Sequence, residues 1–289
     1  MAVFTSASNT GTTEDTIIRS IVQEQLLSKA VVRPTVMDLS SQATKGVKAV
    51  SLPRFSAAFS GPAAQNVDGA TGVTMQTATF AVDTLNLDQW KNLPYRIPDR
   101  ISMQSQVNLE AELAASAGKA MAIDLDSTII TEMATATINI QFDNDTNTTI
   151  SVANINKAKV SLKKNNVTDL DGEIFLLISP AQEEAMLNLA QFINADQYGG
   201  REALLNGEIG RVFGFRVIVS NLLADAEAYA YHRSCLAFAS QKDVSYEKQR
   251  ATVDLQAWEY SFSVGYGVKL LDSGNRIVKF SSSADANLP

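Results

Sequence analysis

Acid–base and nucleophilic chemistry at neutral pH most often uses a histidine, and this chain has one, His232. It lies in a predicted strand without a recognisable nucleophile motif, so a structural role is expected. Asp124 and Asp126 sit two positions apart inside a long helical pattern, which sends their carboxylates to different sides and keeps them from acting together. Asp143-Asn144-Asp145-Thr146-Asn147 begins like a calcium loop, with side-chain oxygens at alternating positions. Its sixth position is Thr148, where glycine is needed, and its twelfth is Asn154, where a bidentate glutamate is needed, so calcium is not expected. The single cysteine, Cys235, allows neither an internal disulfide nor a cysteine metal cluster. Phosphate-binding glycine motifs are missing from the sequence. Gly265-Tyr266-Gly267 falls mid-strand, where glycine marks a bulge or a close backbone approach. No catalytic, cofactor or metal residue is therefore expected. Paired acids from distant loops leave no local signature, which keeps an unrecognised hydrolase as a remote alternative.

The elements that would have to position a site are themselves unusual. From Gln104 to Met133 the chain has no proline and one glycine, Gly118. It reads as one helix of roughly 45 Å. Leu109, Leu113, Ala117, Met121, Leu125, Ile129 and Met133 recur at a stride of four. That stride advances about 40° per step, so the apolar row winds around the helix and meets different bodies along its length. The pattern is that of a strut.

Upstream, a small polar leader precedes a helix expected from about Glu14 to Ala30, with Thr13 as its cap and Arg33-Pro34 beyond its end. Such a helix has too little surface for a core of its own and must dock elsewhere. Gly46 to Phe55 reads as extended, and Thr77 to Asp83 alternates with period two. Ser60 to Gly72 between them is rich in turn residues, so the whole forms a long two-stranded arm with a loose tip. An isolated hairpin is marginal in water, which implies a neighbouring surface. Pro94 and Pro98, with Lys91, Arg96 and Arg100, suggest a rigid charged elbow before the strut.

Residues 150–240 alternate helices and strands. Ile174 to Ile178 is an unbroken apolar strand, and Ser179-Pro180-Ala181-Gln182 opens a helix with a serine cap and proline at the first position. Tyr229 to Phe238 reads as one further strand. Trp258, Tyr260, Phe262, Val264, Tyr266, Val268 and Leu270 then share one face, whereas Ala251, Val253, Leu255 and Ala257 alternate in the other parity. The switch at Ala257-Trp258 predicts a bulge or strand break. Asp272 to Asn275 turns the chain into a last strand, Arg276 to Phe280.

A length of 289 residues points to more than one compact body. A net charge of −7 opposes a protein that coats nucleic acid, because phosphate neutralisation needs a basic surface; it suits a wall that faces nucleic acid without gripping it. No run of about twenty apolar residues is present to span a membrane, and the N-terminus lacks a secretory pattern, so the cytosol is the expected compartment.

In order and in residues the chain resembles the major capsid proteins of tailed bacteriophages. The matching run is Ile178 to Leu187, then Asn206-Gly207-Glu208-Ile209-Gly210-Arg211-Val212-Phe213-Gly214-Phe215 through Asn221, then Gln241-Lys242-Asp243-Val244. The resemblance implies an α+β Hong Kong 97-type capsid fold and a structural subunit of an icosahedral shell around packaged double-stranded DNA. It implies an N-terminal arm at 1–44, an extended loop at 45–103, and a spine helix opening the peripheral domain at 104–145. An axial domain at 146–240 and long return strands at 241–289 complete the division. It also implies hexamers and pentamers of the chain itself, a separate scaffolding protein, a portal at one vertex, and assembly in the host cytoplasm into a virion capsid. Candidate intersubunit contacts are Arg54, Phe55, Phe59, Trp90, Lys91, Arg96 and Arg100. Crosslinking is not expected, since neither the lysine nor the asparagine that some members join can be matched. A cellular nanocompartment shell of the same fold, encapsulin-like, is the alternative.

Overall fold

The structure is a computed structural model that describes residues 10–55, 80–104, 109–142, 148–165, 167, 173–188, 210–251 and 256–282. Its axis is helix α3, Leu109–Met133, 25 residues long. A short helix, α2 (Asp99–Gln104), lies upstream, so the predicted start at Gln104 is helical, and residues 105–108 between the two lie outside the described residues. Its buried residues form two rows, Ala114-Gly118-Ala122-Asp126-Ile130 and Ala117-Met121-Leu125-Ile129-Met133. Each row keeps the stride of four and so drifts around the helix.

The arm helix α1 spans Thr10–Lys29, which places Thr13 inside the helix instead of at its cap. It docks on α3 of the same chain, burying Ile18, Val22 and Leu26 against Ala114, Ala117 and Met121. Gly118 is the point of closest approach. A Cβ there would stand 2.7 Å from both Gln25 Cβ and the Val22 carbonyl oxygen.

Two sheets flank the strut. One has four strands in the order β1-β10-β11-β4, with β1 at Met37–Asp38, β4 at Gln89–Pro98, β10 at Leu236–Arg250 and β11 at Ala257–Leu270. The Trp90-to-Pro98 stretch, expected as an elbow, is thus a full edge strand. It alternates between half-buried and exposed positions and pairs Pro98 to Gln89 with Ala257 to Tyr266. Pro94 and Pro98 are compatible with an edge, where one side of the ladder has no partner. The parity switch is a strand break, with Gln256 at φ 38° immediately before β11.

The other sheet has six strands in the order β5-β12-β9-β6-β8-β7. These are β5 (Asn139–Gln141), β6 (Ile174–Ile178), β7 (Arg211–Val212), β8 (Phe215–Val219), β9 (Glu227–His232) and β12 (Ile277–Ser281). Every residue of β6 is buried, as its unbroken apolar run requires. Helices α4 (Val152–Lys164) and α5 (Pro180–Leu187) contribute Ile155, Ala158, Leu162 and Met186 to a core with Val212, Phe215 and Phe280. Ser179 caps α5 by accepting the Gln182 N–H, as its sequence predicts. The expected strand Tyr229 to Phe238 is instead two strands. A 3-10 turn at Arg233–Cys235 carries the chain from β9 in one sheet to β10 in the other.

A third, two-stranded sheet pairs β2 (Ala49–Phe55) with β3 (Phe80–Asn86) in register Ala49↔Asn86 through Phe55↔Phe80. Val50, Leu85 and Leu87 root this hairpin on Ala237 and Ala239 of β10. The expected tip at Ser60 to Gly72 and the calcium-like loop at Asp143 to Asn147 lie outside the described residues.

Candidate functional site

His232, Asp124, Asp126 and Cys235 lie in separate surroundings. Asp124 points from α3 toward the four-stranded sheet, 3.4 Å from Lys91 Nζ and 3.1 Å from the Tyr266 hydroxyl, which donates to it. Burial, with Asp124 alongside, pushes the Tyr266 phenol up to about 12. Asp126 points away from Asp124, into the junction after α1, where it accepts the N–H groups of Val31, Val32 and Arg33. The His232 Nδ1 accepts the Ser234 N–H at 3.2 Å inside the 3-10 turn, and Cys235 is buried in the main core. Among the described residues, no group of three or more His, Cys, Asp or Glu side chains is arranged to hold a metal. No described helix is long and apolar enough to cross a membrane.

Gly265 and Gly267 mark close backbone approaches. The Trp90 ring lies over Gly265, about 3.1 Å from where a Cβ would stand, and the Asn86 carbonyl sits directly against Gly267. The second contact sets the hairpin base across β11.

A cleft of about 520 Å³ opens over the outer face of the four-stranded sheet between Asn92, Arg96, Glu247 and Glu259. Arg96 Nε donates to Glu259 Oε1 at 3.0 Å, and Gln249 donates to the other carboxylate oxygen at 3.1 Å. Together they hold the Glu259 carboxyl below its ordinary range, Arg96 having the larger effect. This face is an ion-paired surface.

The described intersubunit candidates divide among three elements. Trp90, Lys91 and Arg96 lie along β4, and Arg100 is exposed on α2 beside it. Trp90 is 58% exposed, with Lys242 Nζ 6.0 Å from its ring centroid. Arg54 and Phe55 lie at the far end of β2, opposite Ala81 and Phe80, and Phe59 falls outside the described residues. The intrachain partners Asp124 and Glu259 were not legible beforehand, because both pairings join positions far apart in sequence.

A strut, a rooted hairpin and two sheets are the elements on which the comparisons bear. The phage capsid protein family model matches residues 40–270. The chain belongs to the phage capsid protein family. Solved structures with the same fold include that of Mycobacterium phage Che8, with a TM-score of 0.74 at 22% identity, over 89% of this chain and 92% of the other. The capsid structure of the cyanophage P-SCSP1u matches at TM-score 0.70 and 16% identity, over 89% of each chain. A virus-like particle from Pyrococcus furiosus matches at TM-score 0.60 and 11% identity, over 93% of this chain and 99% of the other. No curated protein matches the chain. This capsid protein has the Hong Kong 97-type fold and is a structural subunit that assembles with copies of itself into the shell of a virion.

Proposed function

We propose that this capsid protein forms the hexamers and pentamers of an icosahedral shell around packaged double-stranded DNA. A separate scaffolding protein would guide its assembly in the host cytoplasm, and a portal would occupy one vertex. The arm is assigned to residues 1–44, the extended loop to 45–103 and the spine to 104–145. The axial domain takes 146–240 and the return strands 241–289.

The observation that carries this reading is the β2–β3 hairpin. Its core contacts lie at its base, through Val50, Leu52, Leu85 and Leu87, while the strand pair continues to Phe55 and Phe80. A two-stranded ribbon gains stability from a surface beyond itself, and in a shell that surface belongs to the neighbouring subunit. The acidic chain, at net charge −7, suits a wall that confines DNA without neutralising its phosphates.

Light scattering with negative-stain microscopy of the purified chain, alone and with its scaffold supplied, tests the reading. Rings of five and six or closed shells are expected. A chain that stays monomeric with scaffold present would refute it. The likeness to the Pyrococcus furiosus particle favours a nanocompartment as the second reading, and particles purified from cells without packaged DNA or portal would select it.

A further inference from the structure

The β7–β8 hairpin breaks three local rules at once. Val212 and Phe215 pair across a two-residue connection, Phe213-Gly214, and both connecting residues have positive φ, 50° and 95°. That is the turn geometry that suits Asn-Gly or Gly-Gly, and a bulky aromatic at its first position is strained. Phe213 gains no burial in return, since it is 43% exposed. Arg211 and Arg216 stand directly opposite each other in the ladder, both exposed. Like charges in that position repel, and among the described residues no carboxylate pairs with either. The turn is nonetheless held in place, because Lys159 Nζ donates to the Phe213 carbonyl at 2.8 Å. Strain, an exposed ring and an opposed cationic pair on one fixed hairpin are unfavourable together, and such clusters mark sites completed by something else.

The complement lies at the other end of the same sheet. Parallel pairing of Phe175 with Arg216 puts the hairpin turn at the Ile174 end of β6. Beyond the Ile178 end begins α5, carrying Glu183 and Glu184, and the Asp225 carbonyl accepts from both Ser179 and Gln182 there. Glu184 and Asp225 are exposed and Glu183 is half-buried. The two corners are about 15 Å apart along the five-residue strand. A ring of identical subunits uses heterologous contacts, in which one patch meets a different patch on the next copy.

We propose that the β7–β8 hairpin is an intersubunit plug. Phe213, flanked by Arg211 and Arg216, docks on the corner formed by Glu183, Glu184 and Asp225 of a second copy of this chain. The contact rests on the shell-forming reading and names one of the joints by which copies meet. An exposed aromatic at the centre of the cationic pair, and an acidic counterpart in the same chain, favour a protein surface over nucleic acid as the occupant.

The test uses the full chain under conditions where the wild type assembles. Phe213→Asn relieves the strain, since Asn tolerates positive φ, and removes the ring. It should keep or raise the thermal midpoint of the unassembled subunit while the assembled fraction falls at least about tenfold. Arg211→Glu with Arg216→Glu should abolish assembly. Adding Glu183→Arg and Glu184→Arg to that chain should restore it. Wild-type assembly by the Phe213 variant, or failure of the charge swap to restore assembly, would overturn the proposal. So would charge-reversed shells that assemble normally with less nucleic acid inside, which would assign the hairpin to the genome. A wild-type chain that never assembles would sink the shell reading itself, a separate failure.

Discussion

Asp126 Oδ2 accepts the Val31 N–H at 2.7 Å, joining the middle of the spine to the end of the arm helix across 95 positions of sequence. Val32 and Arg33 donate to the same carboxylate, so one side chain satisfies three consecutive backbone N–H groups where α1 has ended. Asp126→Ala should cost about 3 kcal/mol, because buried donors are left without a partner. Asp126→Asn, which keeps an acceptor, should cost less. Urea unfolding of the unassembled subunit measures both, and an unchanged midpoint for the alanine variant would show that the arm is held by its apolar face alone. Burial pushes the Asp126 carboxyl above its ordinary 3.8, against the opposing pull of the three N–H groups and Arg33. The native state then holds a proton that the unfolded chain has released. Stability from this group therefore falls as pH rises from 3.8 through the raised value and is level above it. The asparagine variant should lack that slope.

Gly118 gives a prediction whose sign is informative. In an unpacked helix, Gly→Ala stabilises by about 0.5–1 kcal/mol. Here the new methyl would press on the Val22 carbonyl and Gln25. Gly118→Ala should instead destabilise by about 1–3 kcal/mol, the range for overpacking, as read by thermal unfolding. A stabilised variant would mean that α1 does not approach α3 so closely.

Gly265 and Gly267 should respond differently to alanine. At Gly265 the neighbour is the half-exposed Trp90 ring, which can swing aside. At Gly267 it is the Asn86 backbone, which moves only if the hairpin base lifts from β11. Gly265→Ala should express and fold normally, and Gly267→Ala should lose most of its soluble yield. Equal behaviour of the two would place the hairpin elsewhere.

Arg96 serves to test β4 as an intersubunit surface. Arg96→Glu sets a second carboxylate against Glu259 on an exposed ladder position. Exposed pairs contribute little to folding, so the thermal midpoint should stay within a few degrees while shell yield drops. Arg54→Glu at the far end of β2 should behave alike. Normal shell yield from both variants would place these residues on a solvated face.

Burial pushes the Cys235 thiol well above its ordinary range. The thiolate is the reactive form, so a thiol-specific reagent should leave the native subunit unmodified and label one thiol per chain in urea. Rapid labelling of the native subunit would show that the turn between the two sheets opens.

What the sequence determined by itself was the elements whose local apolar pattern is strong. The stride of four in α3, the unbroken run of β6, the Ser179 cap and the alternation of β11 all follow from which face of a short segment is apolar, and each appears in the fold. Where local signals were weak, boundaries moved. Thr13 fell inside α1, Arg233–Cys235 interrupted an apparently continuous strand, and two prolines read as an elbow fitted a sheet edge. Tertiary structure alone decided what each face meets. The pairing of Arg96 with Glu259, the three N–H groups on Asp126 and the glycine contacts at Gly118 and Gly267 join segments brought together by sheet order and helix docking. Periodicity reports that a face is buried, but the partner is chosen by the packing of the whole chain.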